Sequence, residues 1–145
     1  GDAVSNETDI LLGDTIGEMG LYLRLTDIVF VGKSLTGEGG QNPLEPAMLD
    51  TAILSGKNVQ NFRESYQRLI KNGGAKLVKD KDMLAGAVNY LLGNDEMRNT
   101  MKKNARRTVE TMRGALAHTM RGLEPFIHPL VVEARLDRGR RDAGE

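Results

Sequence analysis

The feature that most constrains this chain is a short apolar run, Ile28-Val29-Phe30-Val31, that opens directly into a glycine-rich stretch from Gly32 to Ala47. A continuous apolar run bounded by turn residues reads as a strand buried on both faces, as in parallel sheets. The stretch that follows carries four of the seventeen glycines and two of the four prolines, and it ends where a helix can begin. Glycine lets the backbone approach a ligand closely and take positive φ. A helix start adds unpaired N–H groups and the positive end of a dipole, which suit an anion such as phosphate. The segment is therefore a candidate phosphate cradle, with a plain surface turn as the alternative.

Two familiar motifs are imitated here and fail. Gly32-Lys33-Ser34 has the ending of a phosphate-binding P-loop, but the glycine required five positions earlier is Asp27. Gly37-Glu38-Gly39 begins a dinucleotide fingerprint whose sixth position is Asn42 instead of glycine or alanine.

Around this loop the chain alternates between the two hydrophobic periods. Thr8 to Leu12 reads as a short strand, and a helix is predicted to start near Ile16, where Thr15 and Glu18 have capping-box spacing. Asp27 to Gly32 is the clearest strand. A short helix is predicted to open at Asn42 or slightly later, with Asn42 as cap, Pro43 at the first position and Glu45 at the third. Pro46 leaves its register open. Thr51 to Leu54 and Ala75 to Val78 read as further strands, with a helix through Phe62, Tyr66, Leu69 and Ile70 between them. Met83 to Leu92 forms a helical stripe ending at Gly93. Met97 to Met112 forms another, and Leu116 to Ile127 a last one, closed by Pro129. Methionine at these spacings is core filling. From Glu133 the chain is charged and aperiodic, so residues 129–145 are expected to be a disordered tail.

Strands alternating with helices predict an α/β fold with a parallel sheet and helices on both faces, in one domain. Ligands on such sheets bind beyond the carboxyl ends of the strands. The loops after Leu12 and after Val31 both meet that condition. The formal charge is zero and there are three Phe, three Tyr and no Trp, so nothing points to nucleic acid. With no cysteine, disulfides and thiolate chemistry are excluded. His118 and His128 make no metal-ligand cluster, and no metal or cofactor is expected. No apolar run approaches the roughly 20 residues of a membrane span, which predicts a soluble chain. Gly1 in place of Met suggests an excised segment.

Two carboxylates and one basic stretch stand out. Glu18 and Glu45 each either cap a helix or accept hydrogen bonds from ligand hydroxyls, as carboxylates do from ribose diols. Asn42 either caps or donates to a phosphate oxygen, and Ser34 and Lys33 can reach the same anion. Arg98, Lys102, Lys103, Arg106, Arg107 and Arg113 form either a solvated face or one attracted to an anionic surface.

Three motifs in order carry the reading further: Gly13-Asp14-Thr15-Ile16-Gly17-Glu18-Met19, Asp27 to Ser34, and Gly39-Gly40-Gln41-Asn42-Pro43-Leu44-Glu45-Pro46-Ala47. Over about Thr8 to Phe126 the chain resembles the carboxyl-terminal half of the 3-deoxy-D-manno-octulosonic acid (Kdo) transferases of lipopolysaccharide synthesis. The resemblance implies a GT-B glycosyltransferase, with residues 1–128 as most of its Rossmann-like donor-binding domain. The donor would be CMP-Kdo and the acceptor a lipid A precursor, at the cytoplasmic face of the bacterial inner membrane. CMP-binding positions fall on Ile16, Gly17 and Glu18, and on Asn42, Pro43, Leu44 and Glu45. The implied roles are phosphate binding for Asn42 and the helix-start N–H groups, and ribose binding for Glu45. Glu18 would act near the nucleotide or stiffen its loop. Lys33 stands where the family pattern implies glycine. The general base would lie in an amino-terminal domain, so this segment alone is expected to be inactive, and helix 115–126 would face that missing domain. Two other readings remain: a GT-B domain for another nucleotide sugar, or a non-catalytic α/β interaction module.

Overall fold

The computed structural model describes residues 5–14 and 16–142. Chain contacts divide it into two units, one up to Thr108 and one from Val109 onward. The first holds a sheet of three parallel strands in the order β1-β2-β3: β1 Ile28–Val31, β2 Ala52–Ser55 and β3 Ala75–Leu77. Ile28 pairs with Ala52 and Val31 with Ser55, while Ile53 pairs with Ala75. Helices α1 (Met19–Leu25), α2 (Leu44–Met48), α3 (Arg63–Lys71) and α4 (Lys81–Leu92) connect the strands and lead to α5 (Asp95–Asp142). A single 3₁₀ turn, Gln60–Phe62, precedes α3.

The central strand is buried throughout, its apolar Ala52, Ile53 and Leu54 followed by a buried Ser55. Alternation sends Ala52 and Leu54 to one face, where Leu91 and Met101 pack with Phe30, Leu84 and Val88. Ile53 and Ser55 point to the other face, on which Tyr66 of α3 lies close to Ser55. The sheet therefore carries a helical cover on each side, which is the Rossmann-like α/β arrangement the alternation predicts.

Local chemistry sets the element ends. Asp80 Oδ1 accepts the Met83 N–H at 2.8 Å, capping α4, and Asn94 Oδ1 accepts the Met97 N–H at 2.9 Å at the start of α5. Gly74 precedes β3 where α5 passes closest: a Cβ there would lie 2.6 Å from the Ala105 backbone.

The basic stretch at the start of α5 proves to be a fastener. Lys102 and Arg98 reach Asp27, Arg98 also pairs with Asp95 at 2.8 Å, and Arg106 pairs with Asp50 at 3.0 Å. Half of the predicted basic face thus joins α5 to acidic groups, two of them at the amino ends of β1 and β2. The hydrogen bond from Lys102, then its charge and that of Arg98, hold the Asp27 carboxyl below its ordinary value against a small opposing effect of burial.

The structure departs from the sequence reading in three places. Residues 8–12 form no strand and are exposed, with Ile10 and Leu12 largely in solvent. Their composition suits a strand, but strand formation needs a pairing partner, and β1 pairs with β2 alone. The stripes at 97–112 and 116–127 belong to one helix, because a lone Gly114 costs only ~1 kcal/mol and carries no turn signal. That helix also continues to Asp142, past Pro129, where the reading placed a stop and an aperiodic tail. A proline removes one N–H and bends a helix, but flanking turns can keep their own bonds.

Candidate functional site

Parallel strands put the loops after β1 and β2 at the same, carboxyl edge of the sheet. Residues 32–43 leave β1 and reach α2 without regular structure, held instead by the segment that leaves β2. Ser34, fully buried, is the hub: its Oγ donates to the Val31 carbonyl at 2.6 Å and accepts the Gly56 N–H at 2.8 Å. A Cβ on Gly56 would lie 2.1 Å from the Ser34 carbonyl oxygen, so only glycine lets the two loops meet.

Further along, the Asn58 N–H donates to the Ser34 carbonyl at 2.9 Å and its side-chain amide to the Leu35 carbonyl at 3.2 Å. The Gly39 N–H donates to Gln60 Oε1 at 3.1 Å, and the Gly39 carbonyl accepts the Asn61 N–H at 3.1 Å. The Tyr66 hydroxyl donates to the Gln41 carbonyl at 3.2 Å. Burial pushes the pKa of that hydroxyl up, while Ser55 beside it acts the other way, although Ser55 Oγ makes no well-aligned hydrogen bond. Ser34 was singled out in the sequence as an anion ligand; its burial assigns it to the scaffold. Asn58, Gln60, Asn61 and Tyr66 were not singled out. Their partners lie about 20 to 25 residues away, and no local pattern encodes that pairing.

The predicted site residues fall on two neighbouring helix starts. Asn42 Oδ1 accepts the Leu44 N–H at 3.0 Å, fixing the turn into α2, and Pro43 occupies the cap position and is buried. Leu44 opens the helix and is half-buried. Glu45 lies in its first turn with an exposed side chain that has no hydrogen-bond or ion-pair partner among the described residues. The predicted capping box is therefore absent: the cap is Pro43 instead of Asn42, no side chain makes a cap bond, and Asn42 closes a tight turn just before the helix.

On the other helix start, Ile16 is fully exposed, Gly17 takes φ 96° and Glu18 sits at the cap position of α1, three residues later than predicted. Its carbonyl accepts the Leu21 N–H at 2.9 Å, and its Oε2 accepts the Tyr22 hydroxyl at 3.3 Å, but its side chain makes no cap bond. Thr15, the other half of that predicted box, lies outside the described residues. The two starts adjoin: a Cβ on Gly20 would stand 3.7 Å from Glu45 Oε1 and 3.1 Å from Arg24 Nη1. Arg24, which donates to the Gly20 carbonyl at 2.7 Å, brings to this place a cation that was not singled out in the sequence.

With seven and five residues, α1 and α2 have little macrodipole, and Arg24 is the cation at their junction. Lys33 takes φ 55°, in the left-handed region that glycine adopts most readily. A separate cavity of about 310 Å³ is lined by Lys76, Ala87, Tyr90, Leu91, Met97 and Met101 and includes none of these residues. Among the described residues no group of three metal-ligating side chains is present.

An open parallel sheet, helices on both faces and a clamped glycine-rich loop at the carboxyl edge define a Rossmann-like α/β domain. No protein-family model matches the chain. It is 35% identical over 124 residues to the 3-deoxy-D-manno-octulosonic acid transferase of Haemophilus influenzae, covering 85% of this chain and 29% of that protein. It is 32% identical over 119 residues to the transferase of the same name from Bordetella pertussis, covering 82% and 28%. Among solved structures it is similar to the C-terminal CMP-Kdo binding domain of WaaA from Acinetobacter baumannii. There the TM-score is 0.64 and the identity 26%, over 67% of this chain and 51% of that one. The chain belongs to the 3-deoxy-D-manno-octulosonic acid transferase family and spans under a third of the length of these curated relatives.

Proposed function

We propose that this chain is the donor-binding part of a GT-B Kdo transferase, which moves Kdo from CMP-Kdo to a lipid A precursor in lipopolysaccharide biosynthesis. Residues 1–128 are the donor-binding domain in this reading, and the following residues lie outside it. The observation that carries it is the unpartnered Glu45 carboxylate beside Gly20, at the junction of the two helix starts. A carboxylate with no internal partner is free to accept from a ribose diol. Asn42 and the backbone N–H groups at the start of the other helix, residues 16–18, bind phosphate, with Arg24 as the nearby cation. Pro43 and Leu44 shape the wall against which the nucleotide rests, and Glu18 stiffens the first loop through Tyr22.

Transfer needs a general base to deprotonate the acceptor hydroxyl. In this reading that base comes from an amino-terminal domain of the same protein, and no metal takes part. Met120, Leu123 and Phe126 are exposed at helical spacing, which suits a surface that faces this second domain. The whole enzyme works at the cytoplasmic face of the inner membrane, where its lipid acceptor lies. No helix among the described residues is long and apolar enough to cross a membrane, so attachment would be peripheral or lie elsewhere in the protein.

An amide NMR titration with CMP, with UMP as control, tests the reading. Selective shifts at Gly17, Glu18, Asn42, Leu44 and Glu45 with CMP are the expected result. Equal shifts with both nucleotides would point to another donor, and no shifts in the full-length protein would sink the proposal.

A further inference from the structure

Of the groups at the carboxyl edge, Tyr66 is placed unlike any other: it starts in α3, is 1% exposed, and spends its one hydroxyl on a loop carbonyl 25 residues away. That carbonyl belongs to Gln41, the residue immediately before Asn42. Two residues earlier, Gly39 gives its N–H to Gln60 Oε1. The loop therefore has fixed points on the helical side at Gly39 and Gln41, and the next side chain beyond them is that of Asn42.

We infer that Tyr66 and Gln60 are positioning residues that hold the Gly39–Gln41 backbone so that Asn42 and Glu45 face the donor. The peptide between Gln41 and Asn42 is planar, so fixing the Gln41 carbonyl fixes the plane of the Asn42 N–H as well. The Asn42 side chain then has one remaining job, the Leu44 N–H, which sets the first turn of α2 and the place of Glu45. Loss of the Tyr66 hydroxyl leaves the Gln41 carbonyl to rotate toward water, because the loop makes no ladder bonds of its own. The ring itself packs the core and is kept by a phenylalanine. This role rests on the donor reading given above, and it adds to it residues that touch the loop instead of the ligand.

The test compares the unsubstituted chain with Tyr66→Phe, Gln60→Leu and Gln60→Glu by amide hydrogen exchange without ligand and by CMP titration. Tyr66→Phe and Gln60→Leu are expected to speed exchange at Leu44 and to weaken CMP binding, each about fivefold, the equivalent of one neutral hydrogen bond. Exchange at Ile53 and Leu54 in β2 should not change. Gln60→Glu keeps an acceptor for the Gly39 N–H and should restore both readouts. Unchanged exchange at Leu44 in Tyr66→Phe overturns the inference, whatever CMP does. Acceleration that extends equally to β2 also overturns it, since the residue would then serve global stability alone. If the full-length protein binds no CMP while Leu44 still exchanges faster in Tyr66→Phe, the donor reading falls and the clamp on the loop stands.

Discussion

Lys33 holds a left-handed backbone at φ 55° with its stem against Gly37 and its carbonyl accepting the Gly40 N–H at 3.1 Å. An L-residue in that region costs about 1–2 kcal/mol, and glycine's greater freedom in the unfolded chain returns about 0.5–1 kcal/mol of this. Lys33→Gly is therefore expected to stabilise the protein by about 0.5 kcal/mol, read as a higher urea midpoint at an unchanged slope. A loss of stability would show that the packed lysine stem outweighs the backbone strain. Glu45 makes the opposite case, a side chain with no hydrogen-bond or ion-pair partner among the described residues. Glu45→Gln should leave the thermal midpoint where it is and weaken CMP binding severalfold, because a neutral amide accepts less strongly from a diol than a carboxylate does. An equal fall in midpoint would mean that Glu45 serves the fold. Residue roles of this kind were partly legible in the sequence. Asn42 beside Pro43 announces a helix start because both act on the adjacent backbone. Glu18 was misplaced by three positions, since the spacing of one glutamate cannot distinguish a cap position from the third residue of a helix.

At the scale of elements, three strands and the helices between them follow from local periodicity; the fused last helix reflects breakers too weak to stop it, while the other failures involve partners distant in sequence. Thr8 to Leu12 has the residues of a strand and no strand to pair with. The basic stretch of α5 reads as a solvated face until Asp27 and Asp50 are seen beside it. That fastener predicts a pH dependence. The Asp27 carboxyl is depressed below 3.8 by the hydrogen bond and charge of Lys102, with Arg98 adding to it. Its contribution to stability is therefore complete above about pH 5 and is lost as pH falls through 3.8 and below. With the Asp27 side chain 55% exposed, solvent screening limits the effect to less than about 1 kcal/mol. Asp27→Asn should lower the thermal midpoint by a few degrees at most at pH 7 and by progressively less as pH falls into the acid range, so its acid limb is flatter than that of the unsubstituted protein. A difference that persists undiminished at pH 3 would show that packing, not charge, is what the substitution removes.

On the scale of the whole molecule, a sheet of three strands with one edge of β1 unpaired meets a set of exposed apolar residues, Ile10, Leu12, Ile16, Leu21 and Leu25, in the segment that leads up to it. Patches of this kind mark surfaces that are covered in the working protein. The proportions agree: the chain covers 51% of the solved domain it resembles and under a third of its curated relatives. Binding and chemistry are then expected to separate. The loop after β1 is braced from within this chain, by Ser34, Gly56, Gln60 and Tyr66, so its half of the proposed donor site can form here. Activation of an acceptor hydroxyl requires a base within about 3 Å of it, and the proposed base belongs to another domain. Supplied with CMP-Kdo and a lipid A precursor, the 145-residue chain is expected to show donor-dependent amide shifts at Asn42, Leu44 and Glu45, with no transfer of Kdo and no release of CMP. The full-length protein should do both, and Asn42→Ala should weaken its donor binding with less effect on turnover at saturating donor. Transfer by the short chain alone would overturn this division, because the base would then have to be sought among the carboxylates named here, with Glu18 and Glu45 the first to be replaced by glutamine.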